Sequence, residues 1–68
     1  MNYGIIEIND ETICIESFKF KNIKFIGRLS KICNCKFIGC DLSELTVDTA
    51  FKYNTLEKTS FKDGFMIK

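Results

Sequence analysis

Histidine, tryptophan and proline are absent from this 68-residue chain. The missing histidine removes the usual general base, the usual zinc co-ligand and the side chain that changes charge near neutral pH. Ser30, Ser43 and Ser60 therefore have no imidazole to activate them, and no lysine is spaced for a Ser-Lys dyad. The four glycines (Gly4, Gly27, Gly39, Gly64) are isolated, so there is no glycine-rich phosphate loop. The nine carboxylates sit among turn and surface residues, without the apolar or like-charged setting that shifts a carboxylate for acid/base work. No residue stands out as catalytic and no cofactor is implied; the expectation is a protein that is not an enzyme.

Long apolar runs are also missing. Nothing approaches the ~18 residues of a membrane span. "MNYGIIEIND" has no basic segment followed by an unbroken apolar one, and Glu7 and Asp10 fall where a signal peptide tolerates neither. The expected compartment is the cytoplasm, where four cysteines stay as thiols.

What is present is a small, apolar chain. At 46% apolar residues it is one domain, too apolar for a disordered segment and too short for a large core. Domains of this size rarely gain more than about 3–5 kcal/mol from their core, so natural ones add disulfides, a metal or a partner subunit. A homodimer is the default form of association. The net charge of +1 is small, but its distribution is not even. Before Lys19 every charge is acidic (Glu7, Asp10, Glu11, Glu16), and from Lys19 to Lys36 every charge is basic. The two zones pair within the fold or between copies of it, or the basic one forms a docking surface.

"YGIIEINDETICIESF" reads as two Ile-rich extended runs around Asn9-Asp10, a β-hairpin covering residues 1–17. In "FKFKNIKFIG" the apolar Phe18, Phe20, Ile23 and Phe25 alternate with lysines, which is strand periodicity. A longer period follows. Phe37, Leu42 and Val47 are spaced by five, as are Phe51, Leu56, Phe61 and Met66 after a one-residue slip, and Phe20 and Phe25 upstream. Two places before the bulky residue stands one that is often small: Cys35, Cys40 and Leu45, then Thr49, Asn54, Thr59 and Gly64. A five-residue period fits neither a helix nor a flat strand; it fits a chain that turns a corner once per repeat, with both marked residues inward.

"CKFIG-CDLSE" and "TAFKY-NTLEK-TSFKD" resemble the pentapeptide-repeat proteins. The resemblance covers residues 18–67 and implies an all-β fold, a short right-handed quadrilateral β-helix in which four repeats make a coil, with the hairpin capping one end and a second copy the other. The chain departs from the pattern at "RLSKICN" (28–34), at the slip between Val47 and Phe51, and where Phe18, Ile23 and Leu45 stand in place of small residues. The alternative is a small α+β fold, an antiparallel meander with one helix near 42–53: Asp41 and Glu44 resemble a capping box, and Leu42, Leu45, Ala50 and Tyr53 could line a helix. The β-branched Thr46, Val47 and Thr49 speak against it.

Two constellations could carry chemistry. Cys14, Cys33, Cys35 and Cys40 could form a four-cysteine metal site, but the spacings Cys33-x-Cys35 and Cys35-x4-Cys40 lack the two-residue knuckle of structural zinc. The repeat frame places Cys35 and Cys40 inward as buried thiols. The basic stretch Lys19, Lys21, Lys24, Arg28, Lys31 and Lys36 is interleaved with aromatics, as in single-strand binders. If those lysines point outward, Phe18, Phe20 and Phe25 point inward and the cations lack stacking platforms. The leading expectation is a non-enzymatic protein–protein interaction module offering a rigid β surface, an inhibitor or adaptor of phage or mobile-element type. The alternatives are a nucleic-acid-binding module using the basic stretch and a cysteine-metal protein.

Overall fold

Seven residues adopt left-handed backbone angles, and six of them form the corners of the fold. In the computed structural model, which describes residues 2–61, Ser17, Asn34 and Tyr53 have φ of 62°, 54° and 60°, and Asn22, Gly39 and Lys58 have 55°, 60° and 50°. Between corners the chain is extended: β1 Gly4–Glu16, β2 Lys19–Lys21, β3 Ile23–Cys33, β4 Lys36–Ile38, β5 Asp41–Lys52, β6 Thr55–Glu57 and β7 Ser60–Phe61. Long strands alternate with three-residue ones because the corners fall at alternating long and short intervals.

All pairings are parallel. One sheet has the order β1-β3-β5-β7 and the other β2-β4-β6, so the chain winds as a β-solenoid of about three turns. Successive coils stack corner on corner: the amide of Ser17 donates to Cys33 O and that of Asn34 to Lys52 O, while Asn22 donates to Ile38 O and Gly39 to Glu57 O. The fold is all-β, as the five-residue frame predicts, and the proposed helix near 42–53 is instead the strand β5. Its β-branched residues suit a pleated strand. The capping-box aspartate also has another role: Asp41 Oδ1 accepts from the amide (2.9 Å) and hydroxyl (2.6 Å) of Ser43.

The inward frame holds at Phe25, Phe37, Leu42, Val47 and Phe51, which are buried, and at Leu56, which is half-buried. Leu29 and Ile32, in the segment 28–34 that breaks the frame, are buried as well. Cys35, Cys40 and Leu45, each two places before a central residue, are buried with them. Position in the stack decides the rest. The second coil has a neighbour on both sides, whereas the first coil's Ile6, Ile8, Ile15 and Phe20 are covered on one side and stay half-buried. Phe18, expected inward, is 59% exposed, and Phe61 is 46% exposed, because each belongs to an end coil. Gly64 and Met66 of the frame, and Lys62, lie outside the described residues.

The expected hairpin at residues 1–17 is not formed. β1 runs in one direction and pairs in parallel with β3, from Gly4 opposite Ile23 to Glu16 opposite Cys33. The turn chemistry read at Asn9-Asp10 is real but makes a bulge: Asp10 Oδ1 accepts from the amide and hydroxyl of Thr12 (2.9 and 2.6 Å), and the register slips between Asp10 and Cys14. An Asx turn of this kind consumes residues without reversing the chain. The same hydrogen bonds at Asp41 and Ser43 accompany the slip where Lys24 and Ile26 oppose Asp41 and Glu44. The third slip, where Leu29 and Lys31 oppose Val47 and Ala50, is the interruption seen in the sequence between Val47 and Phe51.

The corner stack of Asn22, Gly39 and Lys58 ends on the residue least suited to it. Asparagine and glycine tolerate left-handed angles; lysine does not. Lys58→Asn should therefore raise stability by roughly 0.5–1 kcal/mol in chemical denaturation. An unchanged midpoint would mean that the corner is not held in this conformation in solution.

Candidate functional site

The six basic residues are divided between two sheets. Lys24, Arg28 and Lys31 lie on β3, Lys19 and Lys21 on β2, and Lys36 on β4. Three of the six are paired with carboxylates of adjacent coils. Lys24 Nζ meets Glu44 and Asp41, Arg28 lies between Asp48 (3.2 Å) and Glu11 (3.8 Å), and Lys36 is 4.0 Å from Glu57. The basic β3 is thus layered between the acidic β1 and β5, which supplies Asp41, Glu44 and Asp48, while Glu57 of β6 lies beside Lys36 of β4. Partners such as Arg28 and Glu44 are more than half exposed, so each pair contributes only about 0–1 kcal/mol. Their effect is on the surface potential, since they neutralise half of the cationic stretch.

Protonation equilibria follow from these contacts. The Ser43 hydroxyl and amide hold Asp41 below the usual carboxylate range, with a smaller effect of Lys24, and Thr12 does the same for Asp10. The hydrogen bond and charge of Glu44 hold Lys24 above its usual value. A depressed carboxylate stabilises the fold above its unfolded pKa, about 3.9 for Asp, and that contribution is lost as pH falls through the folded value. Ser43→Ala should move the Asp41 midpoint upward in an NMR titration of its carboxyl carbon. A midpoint that does not move would show that Ser43 does not hold Asp41 in solution.

Of the rings interleaved with the lysines, Phe25 is buried, Phe20 is half-buried and only Phe18 is open. Phe18 stacks on Phe20 (5.8 Å, 26°), which stacks on Phe37 (5.4 Å, 21°). The exposed rings near the cations are Phe18, next to Lys19 in the chain, and Tyr53, which lines a concavity with Lys31.

The cysteines are not gathered. Cys14 is exposed and sits opposite Lys31 on the first coil, whereas Cys33, Cys35 and Cys40 are buried, and all four are free thiols. Cys35 Sγ points at Cys33 O (3.2 Å), and Cys40 Sγ at Phe20 O and Ile38 O (3.5 Å each). Among the described residues no group of three or more Cys, Asp or Glu side chains is placed to hold a metal ion. Cys33 instead lines an open concavity of ≈ 490 Å³ together with Glu16, Lys31 and Lys52.

Sequence reasoning treated Asn54 and Thr59 only as small inward residues. In the structure they join the coils. Asn54 Oδ1 accepts from the Cys35 amide (2.8 Å) while its Nδ2 donates to Ile32 O (3.1 Å), and Thr59 Oγ1 accepts from the Cys40 amide (3.2 Å). Each polar side chain satisfies a backbone group that the corner leaves without a ladder partner. The available signal was their position above Cys35 and Cys40 in the five-residue frame.

No helix among the described residues is long and apolar enough to cross a membrane. No family model, curated protein or solved structure matches the chain.

Proposed function

We propose that this chain is a short, degenerate pentapeptide-repeat protein that acts as a non-enzymatic protein–protein interaction module, a cytoplasmic inhibitor or adaptor of phage or mobile-element type, and that it works as a homodimer. The five-residue spacing of the buried Phe37, Leu42 and Val47, with Cys35, Cys40 and Leu45 buried two places before them, supports the repeat assignment. One observation carries the interaction reading: Lys24, Arg28 and Lys36 are paired with carboxylates of neighbouring coils, the Cys35 and Cys40 thiols point at backbone carbonyls, and what faces outward is sheet. The β2-β4-β6 sheet runs in register without a slip. Its outward face presents Lys19, Lys36 and Thr55 in one row and Lys21, Ile38 and Glu57 in the other.

The experiment is a salt series on two probes. A protein partner captured on the immobilised chain should bind in purified form with an affinity that changes little with salt, and Thr55→Arg should abolish it. Binding to a labelled DNA duplex should be absent or weak. Each neutralised phosphate adds about −0.9 to the log–log salt slope, so Lys19, Lys21 and Lys31, the members of the basic stretch outside the ion pairs, would contribute about −3 at most. A slope near −5 that is lost when all six residues of the stretch are changed to Gln would mean that the whole stretch engages phosphate, and would replace the interaction reading with the nucleic-acid one.

A further inference from the structure

The end of the solenoid formed by β1 and β2 has the features of an interface. β1 pairs only with β3 and β2 only with β4, so each presents one unpaired backbone edge among the described residues. Open edges of this kind are templates for another strand. Of the five large apolar residues that stay exposed among the described residues, Ile5, Ile13 and Phe18 belong to this first coil. Ile6, Ile15 and Phe20 lie beside them, half-buried.

Charge identifies the occupant. β1 carries Glu7, Asp10, Glu11 and Glu16 and no cation, whereas β2 carries Lys19 and Lys21 and no anion. The end face is therefore acidic along one sheet and basic along the other. We propose that it binds a second copy of this chain, related by a twofold axis that lies in the face and runs along the strands. That rotation exchanges the two sides of the face, setting the three-residue basic β2 of each copy against a stretch of the 13-residue acidic β1 of the other, and it makes the abutting segments antiparallel. The twofold at right angles to it would set four carboxylates against four. A face carrying both signs on opposite sides is complementary to itself, as an isologous dimer requires.

The area is consistent with a modest affinity. The largest cross-section of the described chain, 30 × 23 Å, limits the contact to about 700 Å² per copy, close to the ~800 Å² of a standard interface. The dimer should form in the micromolar range and weaken with salt.

The inference rests on the self-association part of the interaction reading, and its test uses the 68-residue chain alone. Sedimentation velocity from micromolar to millimolar concentration should show a monomer–dimer equilibrium. Lys19→Glu with Lys21→Glu, and separately Glu7→Lys with Glu11→Lys, should each weaken association by at least ~10-fold, with circular dichroism confirming that each variant folds. An equimolar mixture of the two should recover the dimer, because each then offers the charge the other lacks. Hydrogen exchange on the wild type gives a readout independent of any variant: the amides on the free edge of β1 should become protected as concentration rises. A wild type that stays monomeric, variants that associate as it does, or a mixture that fails to recover would each overturn the proposal. A monomer that still binds a foreign protein would overturn this dimer while leaving the interaction reading intact.

Discussion

Phe37→Ala should abolish the cooperative unfolding transition of this protein at room temperature. The ring is fully buried, lies between Phe20 (5.4 Å) and Phe51 (5.9 Å) in stacked geometry, and meets Phe25 edge-on at 5.8 Å. It is opposite Phe20 in the coil before and Leu56 in the coil after. Removing it takes away the transfer energy of a large side chain and leaves a cavity that three neighbouring rings cannot fill, at a cost of about 3–5 kcal/mol. That equals the ~3–5 kcal/mol that a core of this size supplies. Lys36→Ala, one residue away, removes a half-exposed side chain and a single 4.0 Å ion pair, and should change stability by less than ~0.5 kcal/mol. Urea titration followed by circular dichroism compares the two. Equal midpoints would show that the aromatic stack is not the core in solution.

Gly27→Ala should be as damaging, for a different reason. Gly27 has φ of 113°, where a side chain is strained, and it faces the first coil. A Cβ there would overlap the carbonyl oxygen of Ile8 and come within 2.8 Å of Asn9 Oδ1. The obstruction is backbone, which can give way only if β1 separates from β3. The expected loss is about 3 kcal/mol or more, concentrated in the pairing of the first coil. Hydrogen exchange would show it as selective loss of protection in β1 with β5 less affected, and a uniform loss would argue against this cause. Gly39→Ala is the control. It has φ of 60°, and its added Cβ would approach the Asn22 side chain instead of backbone. It should cost less.

The sequence carried the inward residues better than it carried the path of the chain. Phe37, Leu42 and Val47 were legible because the inward residues of a coil recur at a fixed spacing of five. Phe61 continues the five-residue spacing and Phe18 stands two places before Phe20, but their exposure depends on which coil is last, which no local pattern encodes. The helix proposed near 42–53 and the hairpin at Asn9-Asp10 failed for one shared reason. Asp10 with Thr12 and Asp41 with Ser43 make the same Asx turn, and such a turn caps a helix, reverses a hairpin or bulges a strand according to what lies beside it. In both places a parallel neighbour decided in favour of the bulge.

The candidate site was legible in composition and not in arrangement. The basic run from Lys19 to Lys36 is contiguous in sequence, yet winding divides it between two sheets and sets Lys24, Arg28 and Lys36 against carboxylates 17 to 21 residues away. The acidic run before it pointed to internal pairing, and Arg28 with Glu11 realises part of that. The bridging roles of Asn54 and Thr59 needed the vertical alignment of coils, which the interrupted frame obscured.

Coil length in this protein is not a constant. The offset between stacked residues is 19 from Gly4 to Ile23, 17 from Lys19 to Lys36, 18 from Leu29 to Val47 and 19 from Lys36 to Thr55. The three bulges absorb the differences, and the core stays in step. A gene for such a fold tolerates the gain or loss of a codon at those places, while elsewhere the same change would turn every following side chain inside out. Over time the bulges act as reservoirs for length drift, and they erase the periodicity by which ancestry in repeat proteins is usually traced.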